Sequence, residues 1–328
     1  MAETELTVDE ANELIDSILD EVKSVVIADD DVLENIMLAI LAEGHVLLED
    51  VPGTGKTLAA NVFATALNVE FSRIQFTPDL LPSDVMGTNI YNEKEGEFEF
   101  QPGPIFGNVI LGDEINRAPP KTQAAMLETM AEAQVTVEGK TRELEPPFFV
   151  MATQNPVEQE GTFPLPEAQV DRFLVKDTIG QPDVEGKVEL LRRRSQRTTS
   201  IPTAEPVVDD PDKIVALQQV PESVEVDEDL MTYMAELIGL SHEDNRVRVG
   251  VSPRGLQRLF EASRARAVMN GRDYVVPSDI QRISEPVLAH RLVLTPEAQV
   301  NDVQKTEVVQ DLLDEVPVPT IEGEATAD

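Results

Sequence analysis

Asp50-Val51-Pro52-Gly53-Thr54-Gly55-Lys56-Thr57 is the stretch that decides the fold. It follows a short apolar run at residues 45–48 and precedes a helical pattern that begins near Thr57. Strand, glycine turn and helix together make a phosphate cradle. Gly53 and Gly55 let backbone N–H groups close on an anion, and the helix N-terminus adds the positive end of its dipole. The octet departs from the GxxxxGK[ST] pattern only at its first position, where Asp50 stands for Gly. That position belongs to the strand end, away from the phosphates. Lys56 is expected to reach the β- and γ-phosphates and Thr57 to ligate Mg²⁺. The expected cofactors are therefore ATP and Mg²⁺, with Val51, Pro52, Gly53, Thr54, Gly55, Lys56, Thr57 and Leu58 around the phosphates.

Further along, Asn108-Val109-Ile110-Leu111-Gly112 runs into Asp113-Glu114. A carboxylate pair is weak evidence in so acidic a chain. At the end of an apolar strand downstream of a phosphate cradle it gains weight. Asp113 is expected to hold Mg²⁺ through water and Glu114 to polarise the attacking water.

The remaining pattern wraps these two motifs in an α/β layer. Residues 6–43 show helical spacing in two stretches, parted by Asp29-Asp30-Asp31, which can cap the second helix. Short apolar runs at 71–76, 109–111 and 148–152 alternate with helical stretches such as 120–132. That alternation predicts a mostly parallel sheet flanked by helices. Residues 90–101, with Gly96 at the turn, and residues 134–144 read as inserted hairpins. After a basic helix end at Arg192-Arg193-Arg194 comes a polar, proline-bearing stretch, and then only helical patterns at 227–240, 253–269 and 277–292. Ser252 is the expected N-cap of the middle one, with Pro253 in the first helical position. The expected organisation is an α/β nucleotide-binding domain over 1–200 and a linker over 201–222. A small all-α lid follows over 223–295, then an acidic tail over 296–328 whose final GEATAD frays.

Composition narrows the class. The 328 residues include no cysteine and no tryptophan, which excludes disulfides, thiolate metal sites and thiol catalysis. Three scattered histidines make no metal cluster. The net charge of −36 is spread along the chain and opposes sequence-independent binding to nucleic acid, which needs many Lys/Arg–phosphate contacts. Such self-repulsion is tolerable where salt screens it, so a halophilic source is expected. No apolar run reaches membrane-spanning length and the acidic N-terminus is unlike a signal peptide, so the reading is a cytoplasmic protein without membrane insertion.

Several long strings carry a family resemblance: EDVPGTGKT (49–57), RIQFTPDLLPSDVMGT (73–88), QPGPIFGNVILGDEINRAPPKTQAAMLETM (101–130), ATQNPVEQEGTFPLPEAQVDRF (152–173), GVSPRGLQRLF (250–260) and AHRLVL (289–294). Together they resemble the MoxR family of AAA+ ATPases over roughly residues 25–295, in the clade with an insert in its second helix. The resemblance implies an AAA+ P-loop fold with a helical lid, ATP hydrolysis and a homo-oligomeric ring of six. It also implies a client protein, possible partners with a von Willebrand factor A domain, and metal insertion or complex activation as an outcome.

By the same resemblance Asn155 is the sensor that aligns the attacking water. Arg172 is the arginine finger that reaches the neighbouring subunit's site, and Arg254 is the second sensor on the lid. Val26 and Ile27 become the base contacts, although Ala28-Asp29-Asp30 departs from the Gly-Gln that relatives carry there. Phe98, Phe100, Lys140 and Arg142 lie on hairpins that in such rings often face the central pore, with a half-buried hairpin and a solvated turn as the plainer reading. Asn116 and Arg117 are open between a subunit interface and an ordinary helix cap. Alternative readings are a magnesium-chelatase-like motor subunit, a nucleic-acid motor of the replicative-helicase type, and a nucleotide-binding scaffold without turnover.

Overall fold

The computed structural model describes residues 6–156, 161–197 and 202–319. Two helices lead in: α1 (Val8–Val25), closed by a capping box between Thr7 and Glu10, and α2 (Asp30–Leu41), capped by Asp29. The acidic break therefore does cap the second helix. Then come β1 (Val46–Glu49), α3 (Lys56–Ala66), β2 (Phe71–Gln75), the short α4 (Pro82–Met86) and the hairpin β3 (Gly87–Asn92)/β4 (Glu97–Pro102). They are followed by β5 (Val109–Asp113), α5 (Pro120–Glu132), the hairpin β6 (Gln134–Val137)/β7 (Lys140–Glu143) and β8 (Phe149–Gln154). The short α6 (Glu167–Val170), β9 (Val175–Asp177) and α7 (Val184–Gln196) complete the module.

The sheet order is β2-β5-β8-β1-β9, all parallel. Strand β8 thus lies between the phosphate-loop strand β1 and the carboxylate strand β5. The strands alternate sides with period two. Val46, Leu48, Val109, Leu111, Phe149 and Met151 face a core shared with α1, α2 and α3. Leu47, Ile110, Val150 and Ala152 face a second core with Met126 and Leu127 of α5.

The C-terminal part is helical: α8 (Asp212–Gln219), α9 (Glu228–Glu243), α10 (Pro253–Met269) and α11 (Pro277–Leu288), with α12 (Pro296–Val300) and α13 (Lys305–Glu315). Ser252 caps α10 by accepting from Gly255 N. Two expectations need correction here. The stretch expected as a linker holds α8, whose Gln218 donates to Ile40 O at 2.8 Å, and Val207 and Val208 donate to Ala66 O. The expected tail from 296 holds α12 and α13, with Val308, Val309, Leu312 and Leu313 buried in the main core. Apolar spacing in 305–315 marks a packed helix, which the acidic composition of the segment concealed. The final GEATAD lies outside the described residues.

The lid is fastened to the module by arginine–carboxylate pairs, Arg266 to Glu34 at 2.8 Å and Arg282 to Asp31, and by Asn12 donating to Met269 O at 2.8 Å.

His45, just before β1, is buried and pins the lower edge of the sheet. Val150 N donates to its Nδ1 at 3.1 Å, so Nε2 carries the proton and donates to Met130 O at 2.9 Å. Burial holds its pKa down from 6.5 to about 4, opposed by the Met130 hydrogen bond. The folded state binds the proton less readily than the unfolded chain. Its contribution is therefore complete above about pH 6.5 and declines as pH falls toward 4. His45→Gln can keep both hydrogen bonds without titrating. The stability gap between wild type and His45→Gln is expected to shift against wild type by roughly 3 kcal/mol on acidification from neutral to about pH 4. Chemical denaturation at a series of pH values measures it; a gap that does not move with pH refutes the assignment.

Candidate nucleotide site

The phosphate loop leaves β1 at Asp50 and enters α3 at Lys56. Gly53 and Gly55 both adopt left-handed backbone angles, φ 90° and 96°, which side-chain-bearing residues resist. Lys56 is buried, and its Nζ donates to the carbonyls of Asp50 and Val51 at 3.1 and 2.8 Å. Burial lowers the ammonium's pKa, while Asp50, Asp113 and Glu114 pull it back up. Lys56 is thus held within the loop and must release these carbonyls to meet a phosphate.

Asp50 has a role its position did not announce. Its carboxylate accepts from Ile179 N at 2.7 Å and from Gly180 N at 3.2 Å. The residue that departs from the motif ties the phosphate loop to the turn after β9, which lines the cleft toward the lid. Asp50→Ala would strand two backbone donors, and a loss of about 1–3 kcal/mol is expected. Urea unfolding of Asp50→Ala beside Asp50→Asn tests this, since the amide oxygen can keep one of the contacts; unchanged midpoints for both would contradict it.

Across β8, Asp113 and Glu114 end β5. Thr153 of β8 donates its hydroxyl to Asp113 Oδ1 at 2.7 Å and accepts from Glu114 N at 2.8 Å. Glu114 sits at φ 58°, ψ 50°, an uncommon conformation for a side-chain-bearing residue. The Thr153 bond, the turn bond from Arg117 N to Glu114 O, and side-chain contacts over-determine it. Gln75 Nε2 and Arg117 both donate to Glu114 Oε2 at 3.0 Å. Arg73 donates to Asp113 Oδ2 at 2.7 Å and also to Gln75 Oε1. Arg117 therefore meets the carboxylate of its own chain. Asn116 is buried and donates to Asn155 O at 3.4 Å, and its Oδ1 finds no partner among the described residues.

One cleft of about 440 Å³ brings together Asp50, Pro52, Gly53, Gly55, Lys56, Thr57, Arg73, Gln75, Asp113, Glu114, Thr153 and Asn155. The expected Gly53, Gly55, Lys56, Thr57, Asp113, Glu114 and Asn155 all converge there. Thr153, Arg73 and Gln75 were not foreseen. Arg73 and Gln75 alternate on β2 and stand beside Leu111 and Asp113 in register, a relation that only the strand pairing supplies.

A larger neighbouring cleft, about 1010 Å³, lies between module and lid. Ile27, Ala28, Ile179, Gly180 and Asp183 line it on one side and Arg266 and Arg282 on the other. Val26 is buried just behind.

Arg172 and Arg254 line neither cleft. Arg172 is parted from β9 by Phe173 and Leu174; the first residues of β9 pair with the start of β1, and Leu174 N donates to His45 O. In a parallel sheet that is the edge opposite the phosphate loop, about 13 Å away across four residues of β1. Arg172 donates to Leu127 O there. Arg254, exposed on the first turn of α10, stands beside Gly255, which packs on the Arg291 stem, and Arg291 is bonded in turn to Asp171 and Phe173 on either side of Arg172.

A five-stranded parallel sheet in this order, with a phosphate loop and a carboxylate pair on either side of a strand that carries Thr153 and leads into Asn155, defines an AAA+ P-loop ATPase. Residues 45–175 match the ATPase family associated with various cellular activities, and residues 240–312 match the AAA lid domain. The chaperone MoxR1 of Mycobacterium tuberculosis is 41% identical over 310 residues, 92% of this chain and 81% of that one. The protein YeaC of Bacillus subtilis is 46% identical, covering 93% of this chain and 95% of its own. A crystal structure of a candidate ATPase from Cytophaga hutchinsonii superposes with a TM-score of 0.87 at 40% identity, over 94% of this chain and 96% of that one. The chain belongs to the MoxR family of AAA+ ATPases. It binds nucleotide and hydrolyses ATP. No described helix is long and apolar enough to cross a membrane.

Proposed function

We propose that the chain works as a MoxR-type motor whose hydrolytic site is completed between subunits of a ring, six by family resemblance, and whose turnover remodels or matures a partner protein complex. The observation that carries this is the position of Arg172 and Arg254 at the sheet edge opposite the phosphate loop. A guanidinium there cannot reach the nucleotide of its own chain, but it can reach a neighbour's.

Within the cleft the Thr57 hydroxyl and the Asp113 carboxylate are hard oxygen donors of the kind Mg²⁺ takes, and they would hold it. Once bound, that ion would offset charge on the β- and γ-phosphates. Arg73 must release Asp113 Oδ2 for that carboxylate to serve. Lys56 swings from the Asp50 and Val51 carbonyls to the phosphates. Glu114 polarises the attacking water and Asn155 aligns it. Val26 and Ile27 would bound the base.

The exposed Ile90, Tyr91 and Phe98 of the first hairpin are the proposed client-facing surface. Asn89 donates to Glu138 at 2.6 Å and Arg142 stacks over Phe100 at 3.6 Å, so the two hairpins act as one unit. A client complex bearing a von Willebrand factor A domain, with metal insertion as its outcome, follows the family reading. A distant likeness, 25% over 215 residues, to a magnesium-chelatase subunit ChlI homolog of Methanocaldococcus jannaschii keeps a chelatase-like motor as the second reading.

ATPase activity per mole of chain is expected to rise with protein concentration as rings assemble. Dilution series with sedimentation analysis test this, and constant activity from a monomer would sink the proposal. The net charge of −36 adds a condition. We expect the fold to need roughly molar salt, as in a halophile's cytoplasm, because screening shortens from about 10 Å at 0.1 M to about 3 Å at 1 M. Identical circular dichroism in dilute buffer and molar KCl would refute that.

A further inference from the structure

The segment that carries Arg172 is held by one buried side chain of the lid. Arg291, in the turn after α11, is buried, and its guanidinium points away from the lid into the module. Nε donates to Asp171 Oδ1 at 2.9 Å. Nη2 donates to Phe173 O at 2.8 Å and to Asp171 O at 3.4 Å. Nη1 donates to Leu174 O at 3.2 Å and to Val287 O in the lid itself. The backbone on both sides of Arg172 is therefore fastened to a single rigid fork. His290 beside it contacts Phe173 O at 3.1 Å.

The same side chain also meets the turn that carries Arg254. Gly255 approaches so closely that a Cβ there would lie 2.9 Å from Arg291 Cδ and 2.4 Å from Val251 Cγ1. Only glycine lets the first turn of α10 seat on the Arg291 stem. The segment that carries Arg172 and the turn that carries Arg254 thus meet at one lid residue, the first through hydrogen bonds and the second through van der Waals contact.

We propose that Arg291 is a positioning residue that sets Arg172 and Arg254 as one surface, so that the lid's placement determines whether the finger reaches the adjacent subunit's nucleotide. This rests on the reading of Arg172 as a finger acting between subunits. Arg291 lines neither cleft and acts through Asp171, Phe173, Leu174 and Gly255. A 1 Å displacement of a positioned group can cost about 100-fold in rate, and the loss of Arg291's four bonds to residues 171–174 permits a shift of that size.

The test uses the full chain in its assembled state. Arg291→Met, which keeps the stem and removes the donors, is expected to lower kcat by about 100-fold with KM for ATP within about two-fold. Arg291→Lys keeps a charge and part of the bonding, should fold where Arg291→Met does not, and is expected to lose about 10-fold. Each is then mixed with Glu114→Gln, whose finger is intact and whose own site is dead. Turnover above the sum of the two parents supports the proposal, because the intact finger then serves the intact carboxylate of the Arg291 variant. Arg172→Ala mixed with Glu114→Gln runs alongside. If that mixture recovers and neither Arg291 mixture does, Arg291 supports only its own chain's site and the positioning role is overturned. If none recovers, the intersubunit finger itself fails and takes the proposal with it. Wild-type kcat in both Arg291 variants overturns it directly.

Discussion

Arg172→Ala is expected to lower kcat for ATP hydrolysis by about 10³-fold or more, with ATP affinity nearly unchanged. An arginine that meets transferring phosphate acts on charge that builds in the transition state, so its removal leaves ground-state binding largely alone. On the proposed intersubunit reading, the position of Arg172 at the edge of the sheet remote from its own phosphate loop assigns the loss to a neighbouring subunit's site. Within its own chain Arg172 contributes a hydrogen bond to Leu127 O, so unfolding should shift by only about 1 kcal/mol. Steady-state kinetics beside a nucleotide-binding titration separates the two effects. A KM or affinity loss as large as the kcat loss would place Arg172 in its own chain's binding site instead.

Glu114→Gln is expected to reduce kcat by about 10²- to 10⁴-fold while ATP stays bound. The amide keeps the shape of the side chain and can still accept from Gln75, but it cannot take a proton from water. Lys56→Ala should instead lose nucleotide binding itself, because its ammonium is the cation that the loop buries beside the phosphate cradle. Single-turnover hydrolysis and nucleotide binding on both variants distinguish the roles. Equal rates in wild type, Glu114→Gln and Lys56→Ala would remove both residues from the mechanism. The Glu114→Gln ring, loaded and stalled, is also the form in which a client complex should be captured.

The site was legible to different depths. Asp50 to Thr57 and Asp113-Glu114 were readable because their chemistry is local: a glycine turn between strand and helix, and carboxylates at a strand end. Asn155 and Arg172 came through family strings, and the fold then placed them apart, one beside the phosphate loop and one at the far edge. Thr153, Arg73 and Gln75 escaped notice because their meaning depends on which strands are neighbours. A hydroxyl on β8 matters only once β8 lies beside β5, and Arg73 meets Asp113 only through the β2–β5 register. The tail beyond 296 was misread because composition dominates the eye where charge is dense, whereas burial of Val308, Val309, Leu312 and Leu313 depends on the partner faces of α9 and α11.

The sequence by itself determined the phosphate cradle, the carboxylate pair, the alternation of strands and helices and the helical lid. Each is set by dihedral preference, side-chain periodicity or contacts a few residues apart. Tertiary structure alone decided that Asp50 anchors the turn after β9, and that the segments carrying Arg172 and Arg254 meet at the sheet edge opposite the phosphate loop. It also decided that Arg291 joins them. Those outcomes depend on strand order and on one lid turn meeting residues more than a hundred positions away, which no local pattern encodes.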